Sequence, residues 1–82
     1  MSLTPIQCRM ARAALFLGFR ELAKMANVSP NTIARLERGE SMNPRTLVKV
    51  RTVLEDAGVM FIDADEVGGV GVRVKGERNA AL

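Results

Sequence analysis

The chain has 82 residues, a formal net charge of +3 and 48% hydrophobic residues. That length holds one domain with a single modest core and leaves no room for a separate catalytic or effector domain beside it. The apolar content is too high for a disordered chain, and no uninterrupted apolar run nears the roughly 20 residues that cross a bilayer, so a soluble protein with no membrane partner is expected.

The composition narrows the chemistry further. The N-terminal stretch is broken by Gln7, Arg9 and Arg12 and lacks a basic region followed by an apolar block. It does not read as a secretion signal, and a cytoplasmic location is the expectation. The single Cys8 allows no internal disulfide, and with no His and no second Cys there is no zinc cluster to assemble, so neither metal nor cofactor is expected. Without His, Tyr or Trp, nucleophilic or metal-assisted catalysis would rest on scattered carboxylates and lysines, and the chain is not read as an enzyme. Residues 1–58 hold nine Lys/Arg against five Asp/Glu, or +4, whereas residues 59–82 hold three against four, or −1. Nine of the twelve cations are Arg, the residue suited to forked contacts with phosphate and base edges.

In chain order, Thr4-Pro5-Ile6-Gln7 has the form of a capping box with proline at the first helical position. It predicts a helix over residues 5 to about 17, with Ile6, Met10, Ala13, Ala14 and Leu17 facing inward, Cys8 as a small apolar residue, and Gly18 as the stop or the cap of the next element. A second helix is predicted over about 19–26 and a third over about 30–38, ended by Gly39 in a left-handed conformation. Asn43-Pro44 repeats the cap-then-proline signal, and Leu47, Val50, Val53 and Leu54 form the inward stripe of a fourth helix that stops at Gly58. The period then changes: residues 59–62 and 70–75 are β-prone, and the acidic, glycine-rich stretch between them suits a mobile hairpin connection. Asp63, Asp65 and Glu66 lack the distal bidentate Glu of a calcium loop and read as solvated. The segment from residue 76 to 82 is expected to be a disordered tail.

Residues 20–40, RELAKMANVSPNTIARLERGE, carry the functional signal. Leu22, Ala23 and Ala26 share one face of the second helix; Asn27 and Val28 interrupt it; Ser29-Pro30 restarts a helix with a hydroxyl cap. Two helices meeting at a fixed angle follow. In the third helix Ile33 and Leu36 face inward, while Pro30, Asn31, Ala34, Arg35 and Arg38 share the other side. Asn pairs with adenine and Arg with guanine, and a helix N-terminus attracts phosphate, so this flank suits a DNA groove. The same pattern also fits an ordinary helical hairpin with a solvated charged face.

Residues 9–58 resemble the Cro and phage-repressor type of helix-turn-helix domain, the XRE-like bacterial family. The matching features are Arg12; Glu21-Leu22-Ala23; Val28-Ser29; Ile33; Leu36-Glu37-Arg38-Gly39; and Pro44-Arg45. The segment LEDAGVMFID followed by GVRVK resembles short members that append a β-hairpin. The resemblance implies a mainly α fold: a four-to-five-helix repressor-like DNA-binding domain with a short C-terminal two-stranded β extension. It divides the chain into a DNA-binding domain over 1–58 with its motif at about 19–39, a dimerising hairpin over 59–75, and the tail over 76–82. It implies Pro30, Asn31 and Arg35 as base-contacting residues, Ser29 with Thr32 as contacts to phosphate, and Arg38 and Arg45 as contacts to the sugar-phosphate backbone or the adjacent minor groove; Arg20, or the bare backbone N–H groups, is the expected backbone contact in place of the family's usual Gln. Arg12 and Glu37 match a structural ion pair between the first and third helices. Two positions depart from the family pattern: Phe19 stands where Gln is usual, and Asn27 stands where the turn usually has glycine. Asn tolerates positive φ best among the other residues.

The implied function is sequence-specific binding of double-stranded DNA by a transcriptional regulator, more often a repressor in so small a chain. One recognition helix covers only a few base pairs, so a homodimer on a pseudo-palindrome is expected, with half-sites about 34 Å apart. A lone two-stranded hairpin leaves unpaired edges, which makes Val59, Phe61, Val70, Val72 and Val74 the expected dimerising set; the alternative is that the hairpin folds back over the fourth helix. The alternative function is an antitoxin with a toxin partner, or a protein-interaction adaptor on the same fold.

Overall fold

The computed structural model describes residues 3–76. Thr4 opens α1 (Pro5–Leu15) as a true capping box: its Oγ1 accepts from the Gln7 N–H at 3.2 Å, and its own N–H donates to Gln7 Oε1 at 3.3 Å. Then come α2 (Phe19–Ala26), α3 (Pro30–Glu37) and α4 (Pro44–Asp56), followed by β1 (Val59–Ile62) and β2 (Gly71–Val74) as an antiparallel hairpin pairing Val59 with Val74 and Phe61 with Val72. The fold is therefore the mainly helical one expected, four helices with a β extension.

The helix ends repeat one device. A residue at positive φ turns the chain, and the next N–H donates back to a carbonyl in the last turn of the helix, closing the carbonyls that a helix end leaves orphaned. After α1 this residue is Phe16 (φ 58), with Leu17 N–H donating to Arg12 O at 2.8 Å; after α2 it is Asn27 (φ 58), with Val28 N–H donating to Ala23 O at 2.9 Å. After α3 it is Gly39 (φ 86), with Glu40 N–H donating to Arg35 O at 3.1 Å. Asn27 and Gly39 behave as the sequence predicts. The end of α1 does not: it stops two residues before the expected position, on a phenylalanine, whereas Gly18 takes the second of its two expected roles as N-cap of α2, its N–H donating to Glu21 Oε1 at 2.9 Å.

The core joins Leu22, Ala23 and Ala26 of α2, Ile33 and Leu36 of α3, Val50 and Leu54 of α4, and Val59 of β1, all essentially excluded from solvent. Burying each of the larger aliphatic side chains contributes about 1.5–3 kcal/mol. The inward stripe of α1 differs from the expected one. Gln7, Cys8 and Ala11 are buried, whereas Ile6 is 48% exposed and Ala13 lies at the surface. Hydropathy alone set Gln7 aside as polar, which rotated the inferred stripe by about one residue. Gln7 is buried because every polar atom of its amide is used: Oε1 also accepts from Thr4 Oγ1 at 3.1 Å, and Nε2 donates to the carbonyls of Ile62 and Gly71, each at 3.1 Å. A residue read only as a cap is thus the tie between α1 and the hairpin.

The hairpin is held from α4 as well. The Arg51 guanidinium lies 4.8 Å from the centre of the Phe61 ring, and Lys75 Nζ donates to Glu55 O at 3.3 Å. Its connecting loop, expected to be a loose link, is organised by Asp65, whose Oδ1 accepts from the N–H groups of Val67 and Gly68 at 2.8 and 3.1 Å. Of the predicted tail, residues 77–82 lie outside the described residues.

Candidate nucleic-acid interface

Ser29 fixes the start of α3. Its Oγ accepts from the Thr32 N–H at 3.1 Å and lies 2.9 Å from Thr32 Oγ1, while Pro30 fills the first helical position without presenting a donor. The helix then divides cleanly. Ile33, Leu36 and Glu37 are buried, whereas Pro30, Asn31, Arg35 and Arg38 are exposed and Ala34 is half-buried between them. The outer flank makes no contribution to the core.

What holds the inner flank is partly ionic. Glu37, 6% exposed, receives Arg12 in a fork: Nε to Oε2 at 2.6 Å and Nη2 to Oε1 at 2.8 Å. Arg9 adds Nε to Oε1 at 3.4 Å and Nη2 to the Glu37 carbonyl at 3.2 Å. Burial pushes the Glu37 carboxyl up, but hydrogen bonds from Arg12, Cys8 and Arg9 outweigh it and hold the group below the usual carboxylate range. The same surroundings push the Cys8 thiol up to about 12, chiefly through burial and then through its carboxylate neighbour. Arg12 also donates through Nη1 to Leu17 O at 3.1 Å and stacks 4.5 Å from the centre of the Phe19 ring. Phe19, the departure at the start of α2, thus serves as a platform for the arginine that anchors α3.

The outer flank has its own ion pairs. Arg35 Nε donates to Glu40 Oε1 at 2.9 Å, and Arg38 donates to Glu40 Oε2 through Nε at 3.0 Å and Nη2 at 2.8 Å. Sequence reading singled out both arginines and missed Glu40. The signal was available in Gly39, because a left-handed residue at that point folds its successor back over the last turn. Bonds from Arg35 and then Arg38 hold the Glu40 carboxyl below its usual range.

The backbone-contacting set is only partly brought together. Lys49 Nζ donates to Asn27 O at 3.3 Å, which sets this strip of α4 beside the turn into α3. Arg45, one helical turn earlier, shares a shallow hollow with Lys49, lined by Pro44 and Val48. Arg20 is exposed at the first turn of α2, and neither it nor Arg45 forms an ion pair among the described residues. No hydrogen bond or ion pair joins Arg20 to an α3 side chain among the described residues.

The residues expected to dimerise face mostly inward. Val59 is fully buried in the chain's own core and Phe61 and Val72 pack against it, so the hairpin folds onto its own domain; Val70 and Val74 are half-buried. Met60, 42% exposed, and its cross-strand partner Arg73 form the outer face.

Two short helices at a tight turn, the second braced from behind and carrying a free polar and cationic flank, define the helix-turn-helix class of DNA-binding fold. Residues 20–55 match the helix-turn-helix family model, and this likeness supports a helix-turn-helix domain of the Cro and phage-repressor type and, in general terms, DNA-binding transcription regulation. No curated protein matches the chain. Among the described residues no helix is long and apolar enough to cross a membrane.

Proposed function

We propose that the chain is a sequence-specific transcriptional repressor that binds double-stranded DNA as a homodimer on a pseudo-palindromic operator. α3 enters the major groove with Arg35 pairing to guanine, Asn31 to adenine and Pro30 against a thymine methyl. Ser29, Thr32, Arg38, Arg45 and Arg20 bind the sugar-phosphate backbone, and occupancy of the operator blocks polymerase. The observation that carries this reading is the division of α3: one flank is spent on the core and on the Arg12 ion pair, while the other holds Asn31, Arg35 and Arg38 at the surface, outside the core.

The hairpin supplies the join between copies through its unpaired strand edges and the outer face around Met60, since its inner side chains are engaged at home. Selection of bound fragments from a random-sequence DNA pool, followed by titration of the selected duplex, tests the whole. Arg35→Ala lowers discrimination at one or two base positions by about 1–3 kcal/mol each, whereas Arg38→Ala and Arg45→Ala weaken binding evenly across sequences. An Arg35→Ala protein with unchanged site preference would refute the base-reading role. A monomer by light scattering at high micromolar concentration would refute the join.

A further inference from the structure

The DNA-facing flank of α3 carries its own anion. The turn at Gly39 brings Glu40 back over the last turn of the helix, its N–H bonded to Arg35 O at 3.1 Å, and its carboxylate takes one arginine on each oxygen. All three side chains remain open to solvent, 45% for Arg35, 58% for Arg38 and 41% for Glu40. Such pairs are weak and exchangeable, and a DNA phosphate offers the guanidinium the same forked chemistry as the carboxylate.

The two arginines are not held alike. Arg38 commits both Nε and Nη2 to Glu40, but Arg35 is held by Nε alone. Among the described residues the two terminal nitrogens of Arg35 make no hydrogen bond. A terminal pair of donors suits bidentate reading of guanine O6 and N7. We propose that Glu40 is a specificity-determining positioning residue, which aims Arg35 at a base edge while withholding it from phosphate; Arg38 leaves Glu40 for the backbone on either duplex. On a wrong sequence Arg35 binds backbone only after leaving Glu40. On the right one, Arg35 meets guanine with Glu40 still in place. Glu40 therefore opposes the non-specific complex more than the specific one. This inference rests on the DNA-binding reading above.

The test compares the full-length wild type with Glu40→Gln, Glu40→Asp and Glu66→Gln by fluorescence anisotropy. Each is titrated on a duplex selected from the random pool and on a scrambled duplex of equal length, from roughly 50 to 200 mM salt. Glu40→Gln tightens binding to the scrambled duplex about tenfold and to the selected duplex by less than about threefold, and steepens the scrambled-duplex salt slope by about one. Glu40→Asp keeps the charge but is too short to span both guanidiniums, and it also narrows the ratio of the two affinities. Glu66→Gln removes the same charge from the hairpin loop and leaves the ratio unchanged. In an Arg35→Ala background, Glu40→Gln no longer alters the ratio. If Glu40→Gln tightens both duplexes by one factor, or Glu40→Asp keeps the wild-type ratio, the inference is overturned while the DNA-binding reading stands. If the wild type binds neither duplex at low salt, that reading falls and takes the inference with it.

Discussion

Removing Arg12 while leaving Glu37 in place tests what secures the recognition helix from behind. Arg12→Met keeps the length and most of the apolar stem but deletes two charge-assisted bonds, at 2.6 and 2.8 Å, each contributing about 1.5–3 kcal/mol. It also strands a carboxylate whose side chain is only 3% exposed. Breaking a buried pair from one side costs about 3–5 kcal/mol. Arg9 softens the loss, since it remains at 3.4 Å, although its side chain is 58% exposed. We expect a cost of about 3 kcal/mol at pH 7, out of a total stability of roughly 4–12 kcal/mol for a chain of this size. The melting temperature then falls by roughly 10–25 °C.

The pH dependence sharpens this test. In the wild type the Glu37 carboxyl lies below its unfolded value of about 4.3, so its contribution is full above that value and is lost as pH falls through the folded one. In Arg12→Met burial dominates and the folded value rises above the unfolded one, so the penalty is absent at low pH and grows as pH rises through the window between them. The stability gap between the two proteins is therefore widest at pH 7 and closes toward pH 4. Urea unfolding followed by far-ultraviolet circular dichroism measures both. A gap below about 1 kcal/mol at pH 7, or one that does not change with pH, refutes the reasoning. Arg12→Met combined with Glu37→Leu recovers most of the loss, because no charge is left buried.

Two further substitutions probe the features that hydropathy did not foretell. Gln7→Leu deletes the two bonds to the hairpin and leaves the Ile62 and Gly71 carbonyls without that partner, at a cost of about 2 kcal/mol, with hydrogen exchange accelerating first in β1 and β2; equal acceleration throughout the helices would contradict the tie. Phe16→Gly relieves a left-handed phenylalanine that is 84% exposed, and stabilises the chain by roughly 0.5–1 kcal/mol in thermal melts; a loss of stability would show that the ring carries packing at that site.

The elements were legible because their punctuation is chemical. Thr4, Ser29 and Asn43 each stand before a proline and cap a helix, Asn27 and Gly39 take the left-handed conformation assigned to them, and Gly58 stands between α4 and β1. The division of α3 followed from spacing alone, since Ile33 and Leu36 have no apolar rivals on the other flank. What was hidden depends on distant partners. Gln7 is polar by composition and buried by its bonds to residues 62 and 71, so the stripe of α1 was drawn one position off. Phe16 stops α1 for reasons that no local preference announces. Glu40 lies outside α3 by sequence and back upon it in space, which only the turn at Gly39 brings about.

The Gln7 tie has a consequence for geometry. α1 is bonded to both strands and α4 is held to them through Arg51 and Lys75, so the β ribbon is tied at several points to the helices that support α3. Copies joined through that ribbon would behave like calipers locked at a single opening. Each base pair inserted between half-sites moves the far target by about 3.4 Å and turns it by roughly 35° around the duplex axis. Locked calipers follow neither displacement, so in the proposed dimer the amide of Gln7 would help to set the half-site spacing that is bound.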